Sequence, residues 1–150
     1  MRIAIASDHA ALALKSALAD YLRVGGHDVA DLGPHDETSV DYPDYGYSLA
    51  VAIANGSAER GVALCGSGIG ISIAVNRNPA ARAALVSEPL SARLAREHND
   101  ANVIAMGARL IGIEMAKACI DAFLSTDFGG DRHQRRVDKL SNPITTKEPA

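Results

Sequence analysis

Gly61-Val62-Ala63-Leu64-Cys65-Gly66-Ser67-Gly68-Ile69-Gly70 is the stretch on which the fold turns. It opens as a short apolar run with a β-branched residue, as a buried strand does. A tight turn with three glycines follows, and residues 71–76 resume as a helix. Working outward, residues 2–7 read as a strand, 11–24 as an Ala- and Leu-rich helix stopped by Gly25-Gly26, and 27–32 as a second strand. A polar loop over 34–44 leads to a helix over 45–55. Beyond the glycine turn come a strand over 81–86, a helix over 89–98, a strand over 102–106 and a long apolar-faced helix over 110–124. A last helix ends near Leu140, and residues 141–150 form a polar tail. Strand and helix alternate five times. This predicts a single-domain α/β fold over 1–140, a Rossmann-like three-layer sandwich around a five-stranded parallel sheet.

Composition narrows the functional classes. The chain has 150 residues, enough for one domain that folds without a disulfide or metal staple. Its hydrophobic content of 47% and net charge of −3 exclude disorder as the main state. A pI near 5.9 and the absence of Trp argue against nucleic acid as a partner. Two cysteines, Cys65 and Cys119, make no disulfide framework. No stretch reads as a signal peptide or a bilayer span, so a cytoplasmic protein with no membrane partner is expected.

In an open parallel sheet the ligand sits beyond the carboxyl ends of the strands. Ser7-Asp8-His9, Cys65 with its glycine turn, Ser87-Glu88 and Gly107-Ala108-Arg109 all fall there. The turn fits none of the familiar phosphate or nucleophile motifs. Ile71 stands where a dinucleotide fingerprint needs glycine and where a cysteine phosphatase loop needs arginine, and no Lys-Ser or Lys-Thr pair closes a P-loop. Cys65 stands where a nucleophile elbow needs its first glycine. What remains is an anion cradle with a cysteine beside it. A thiolate at such a helix mouth can act as base or nucleophile, whereas Cys119, amid apolar residues of a helix, reads as core. Asp8 suits a helix cap as well as a ligand contact, and His98 at a helix end suits the dipole as well as catalysis. The basic run Arg132, His133, Arg135, Arg136 suits a solvated face or a phosphate. No zinc spacing occurs among the five histidines.

Taken in order, S-D-H-A (7–10), D-Y-P (41–43), C-G-S-G-I-G-I-S-I-A-V-N (65–76), S-E-P (87–89), R-E-H-N-D-A-N-V (96–103), G-A-R (107–109) and R-H-Q-R-R-V (132–137) resemble the ribose-5-phosphate isomerase B family, which includes galactose- and allose-6-phosphate isomerases. The resemblance implies an aldose–ketose isomerase that uses no metal or other cofactor and takes a small sugar phosphate as its partner. By this resemblance Cys65 is the base, Ser67 sits beside the substrate oxygens, and the amides of Gly66, Gly68, Ile69 and Gly70 hold an enediolate. His98 opens the sugar ring with Asp8 assisting. His9, Arg132 and Arg136 hold the phosphate, and Tyr42, Asn99 and Arg109 touch substrate. Members with glycine at position 65 use a glutamate at position 71. Cys65 and Ile71 here imply the cysteine subtype.

The resemblance further implies a site shared between two subunits, in a homodimer or a dimer of dimers, with His98, Asn99 and Arg109 as candidates from the neighbour. The apolar helix over 110–124 either packs on the sheet or forms the subunit contact. The first function implied is interconversion of ribose 5-phosphate and ribulose 5-phosphate, and the alternative within the same chemistry is isomerisation of another phosphorylated aldose, a tetrose or a hexose. Two functions of other classes also remain open at this point. One is a sugar-phosphate-binding regulatory module without turnover. The other is a redox role for Cys65, which would call for a resolving cysteine nearby.

Overall fold

The computed structural model describes residues 1–144. Its strands are β1 (Arg2–Ser7), β2 (Asp28–Asp31), β3 (Arg60–Cys65), β4 (Ala83–Leu85) and β5 (Val103–Gly107). Its helices are α1 (Leu12–Val24), α2 (Tyr42–Ala54), α3 (Ile69–Val75), α4 (Pro89–Asn99), α5 (Ile113–Ser125) and α6 (Gln134–Ser141). Short 3-10 turns span His9–Ala11 and Asp131–His133. All strand pairs are parallel, in the order β2-β1-β3-β5-β4. The expected sandwich is therefore present.

Side-chain alternation along the strands builds two cores. Ile3, Ile5, Val62, Leu64, Ile104 and Met106 face α1, α4 and α5. Ala4, Ala6, Ala63, Cys65, Val103 and Ala105 face α2 and α3. Both faces are covered, which is why these strands are apolar throughout rather than alternating with polar residues. The buried side of α5, made of Ala116, Cys119, Ile120 and Phe123, is spent on the first core. That side of the helix packs on the sheet.

The strand expected over 81–86 is shorter, at Ala83–Leu85, and three helices start two or three residues away from expectation. Helix α2 begins at Tyr42 rather than 45, because Pro43 sits in its first turn, where no backbone N–H is needed and its fixed φ suits the helix. Helix α3 begins at Ile69 and is only 7 residues long. Helix α5 begins at Ile113, because the preceding chain is a turn in which the amides of Leu110 and Ile111 both donate to the Gly107 carbonyl at 3.0 and 3.1 Å. Of the expected tail, Ser141 belongs to α6 and residues 145–150 lie outside the described residues. Among the described residues no helix is long and apolar enough to cross a membrane.

One buried ion pair ties the sheet edge to α1. Lys15 is 1% exposed, and its ammonium donates to Asp31 at the end of β2. Asp31 also accepts the Gly33 amide at 2.9 Å, and the Gly33 carbonyl accepts the Ser7 amide at 3.0 Å beside Asp8. Burial pushes the Asp31 carboxyl up. The hydrogen bonds from Lys15 and Gly33, with the charge of Lys15, outweigh burial and leave the pKa below its ordinary value. Removing one partner strands the other, so Lys15→Met is expected to cost about 3 kcal/mol, and Lys15→Met with Asp31→Asn distinctly less than the sum of the singles. A carboxyl with a lowered native pKa adds stability above its unfolded value of 3.8. That contribution drains away as pH falls through the native value. Urea titrations at pH 7 and pH 3 check this. The penalty of Asp31→Asn should be large at pH 7 and shrink at pH 3.

Candidate active site

The chain leaves β1 for α1 on one face of the sheet and leaves β3 for α3 on the other. Neighbouring strands that exit to opposite faces leave a crevice at their carboxyl ends. A cleft of about 530 Å³ lies there, lined by Asp8, Tyr42, Cys65, Gly66, Ser67, Ile69, Gly70, Ile73, Arg109 and Leu110.

Cys65 ends β3 and is 4% exposed. Its sulfur accepts the Gly68 amide at 3.1 Å. An N–H···S bond of this kind strengthens when the sulfur is anionic. Gly68 reaches that position with φ +76, a left-handed conformation that glycine adopts without strain. The Ser67 hydroxyl oxygen accepts the Ile69 amide at 3.2 Å, which leaves its proton free to donate. The amides come from the turn rather than from a long helix dipole, since α3 is barely two turns long. Asp8 caps the turn after β1 by accepting the Ala10 amide at 3.0 Å, so it is cap and cleft wall at once. The Tyr42 ring packs on Gly70, where a Cβ would fall 2.5 Å from the ring.

Arg109 lies in the cleft of its own chain. Its amide donates to the Gly66 carbonyl at 3.0 Å, and its guanidinium rests against Gly66. No carboxylate pairs with it among the described residues. His9 accepts the Val40 amide on Nδ1 at 3.1 Å, so a neutral ring carries its proton on Nε2. Ile73 and Leu110 also line the cleft, and neither stood out in the sequence; exposed apolar residues beside the glycine motif were the available signal.

The remaining candidates lie elsewhere. In a parallel sheet a helix runs back against its preceding strand, so α4 ends at the edge opposite Cys65. His98 and Asn99 are its last two residues. Arg132 and Arg136 belong to the segment that returns to that end, where the Gly129 amide donates to the Glu97 carbonyl at 2.9 Å and the His133 ring stacks on His98. Cys65 and His98 are therefore separated within one chain by roughly the length of a strand, about 16–20 Å.

Cys119 is in α5, on the other face of the sheet from Cys65. Burial, and then the charge of Glu88, pushes its thiol up. It offers Cys65 no resolving partner. Among the described residues no group of three or more His, Cys, Asp or Glu is arranged to hold a metal.

The parallel sheet is that of an α/β sugar-phosphate isomerase, an enzyme that moves a carbonyl between neighbouring carbons. The model of the Ribose/Galactose Isomerase family matches residues 3–140, and the chain belongs to that family. It is 42% identical over 140 residues to ribose-5-phosphate isomerase B of Escherichia coli, covering 93% of this chain and 94% of the relative. It is 44% identical over 142 residues to D-erythrulose-4-phosphate isomerase of Pectobacterium atrosepticum, covering 93% of each. A crystal structure of a ribose 5-phosphate isomerase from Thermotoga maritima superposes with a TM-score of 0.92 at 50% identity, covering 93% of this chain and 97% of that one. Membership of an enzyme family sets aside the regulatory module without turnover.

Proposed function

We propose that the chain interconverts ribose 5-phosphate and ribulose 5-phosphate through an enediolate, with Cys65 as base and His98 opening the sugar ring. The observation that carries this reading is the Cys65 sulfur, which accepts the Gly68 amide in a cleft shared with Ser67, Asp8 and Arg109. In the open-chain aldose the thiolate takes the proton from C2, and the electrons move onto the C1 carbonyl oxygen. The amides of Gly66, Gly68, Ile69 and Gly70 and the Ser67 hydroxyl stabilise the resulting oxyanion. The proton returns to C1, and the O2 hydroxyl passes its own proton to the C1 oxyanion as the ketone forms, so that C1 ends as a CH2OH group. His9 Nε2–H, Arg132 and Arg136 take the phosphate. Tyr42, Asn99 and Arg109 hold the sugar. No step calls for a metal.

The reading requires two chains, because Cys65 and His98 stand at opposite sheet edges. A two-fold arrangement brings the α4 end of each protomer, with His98, Asn99, Arg132 and Arg136, to the cleft of the other. Ile69, Ile73, Leu85 and Leu110 are exposed apolar residues at or beside the cleft, as a covered interface would have them. A four-carbon sugar phosphate is the second reading, favoured by the likeness to the Pectobacterium enzyme. The chemistry would be the same.

One experiment tests chemistry and assembly together. Cys65→Ala and His98→Asn are each inactive on ribose 5-phosphate, with a chelator present throughout. Mixed and reassembled, half the dimers are hybrids and each hybrid carries one intact site, so roughly a quarter of wild-type turnover returns. Mixtures that stay inactive while exchanging subunits would refute the shared site. Wild-type turnover of erythrose 4-phosphate in preference to ribose 5-phosphate would move the assignment to the second reading.

A further inference from the structure

We propose that His133 is a positioning residue for His98, its imidazole stacked on the ring that opens the sugar and holding that ring in the orientation for proton transfer. The proposal rests on the assignment of His98 above.

The two imidazoles lie face to face, with centroids 4.5 Å apart and 11° between their planes. Each is carried on anchored backbone. The α4 end is closed by Asp100, which is left-handed at φ 46. Its carboxylate accepts from Arg96 at 2.8 Å and from Arg82 at 3.0 Å. Arg96 is buried and also donates to the Ala101 carbonyl at 2.7 Å. The segment that carries His133 is tied to the same helix end through Gly129 and Glu97, and the His133 amide donates to the Gly130 carbonyl at 2.9 Å. A histidine χ2 is broad when nothing restrains it, and a ring packed flat against a face removes that freedom. A proton shuttle needs that restraint, because the nitrogen must meet one particular oxygen.

The stack also disfavours charge on both rings at once, because two imidazolium rings at this separation repel. The charged groups that face it are Arg132 and Arg136 on the returning segment and Glu97 on α4. Burial first, and then the charges of His98, Arg132 and Arg136, hold the His133 pKa below that of an ordinary histidine, with Glu97 opposing. His133 is thus biased toward the neutral ring that stacks flat on His98.

The test compares a reaction that needs ring opening with one that does not. Ribulose 5-phosphate has its C5 oxygen esterified and stays open-chain, so deuterium wash-in at its C1 reports enediolate formation alone. Net conversion of ribose 5-phosphate adds ring opening. His133→Ala is expected to lower kcat/KM for net conversion about ten- to a hundredfold, the scale on which a misplaced group loses efficiency, while wash-in falls less than about threefold. His133→Phe keeps a neutral stacked ring and should restore most of net conversion. By NMR titration, His133 in His98→Gln should titrate closer to the ordinary histidine value, a readout independent of turnover.

Equal loss of wash-in and net conversion in both His133 variants would overturn the proposal, and so would wild-type net conversion in His133→Ala. His98→Gln sets the scale. If it lowers net conversion selectively while His133→Ala does nothing, the His98 assignment stands and only this proposal fails. If it lowers wash-in and net conversion alike, the ring-opening assignment itself fails.

Discussion

Cys65→Ser is expected to lower kcat by about 10³-fold, near 4 kcal/mol of barrier, while leaving the fold intact. Serine matches cysteine in shape, and its hydroxyl oxygen can keep the hydrogen bond that the Gly68 amide now gives the sulfur at 3.1 Å. What it lacks is basicity near neutral pH, since a thiol ionises far more readily than an alcohol. The phosphate and sugar contacts assigned above do not involve the sulfur. Calorimetric affinity for ribose 5-phosphate should therefore stay within about threefold while turnover collapses, the pattern of a group that acts only in the transition state. Steady-state kinetics and calorimetry on the same preparation decide it. Turnover above a tenth of wild type would remove Cys65 as the base and leave Asp8 as the carboxylate to test in the same cleft.

Gly68→Ala is expected to give the largest loss of stability in the turn and to take activity with it. A Cβ at Gly68 would fall 2.7 Å from the Met106 carbonyl carbon, 2.7 Å from Leu85 Cδ1 and 3.0 Å from the Gly107 amide nitrogen. Leu85 is exposed and can swing aside. The backbone at Met106 and Gly107 cannot, because it is paired with β3. Strain at φ +76 adds to the clash, for a combined cost of about 2–5 kcal/mol and a Tm drop of roughly 5–15 °C. Gly56 supplies the control. It has the same φ of +76 with nothing within 4 Å of a Cβ. Gly56→Ala should therefore show the backbone strain alone, about 1–2 kcal/mol. Equal Tm losses in the two variants would mean that the turn gives way without resistance and that the sulfur's amide partner is not rigidly held.

Much of this architecture is written locally. Alternating apolar runs, the Gly25-Gly26 stop and the Cys65-to-Gly70 turn mark their own elements, because hydrophobic periodicity and backbone permissiveness act over a few residues. Pro43 carried a signal for the start of α2, yet D-Y-P reads equally as a loop until the helix packs. The order of elements also implied that His98, at the end of a helix between parallel strands, lies far from Cys65, although no spacing in the chain states it.

The sequence by itself determined the α/β alternation, the thiol beside a glycine turn and the resemblance to sugar-phosphate isomerases. Only the tertiary structure decided the order β2-β1-β3-β5-β4, the crevice between β1 and β3, the place of Arg109 in its own chain's cleft and the stack of His133 on His98. The physical reason is range. Periodicity and turn chemistry are set by neighbours a few residues apart. Strand pairing, ion pairs such as Lys15–Asp31 and ring stacking between residues 35 positions apart exist only after loops close and two cores are packed.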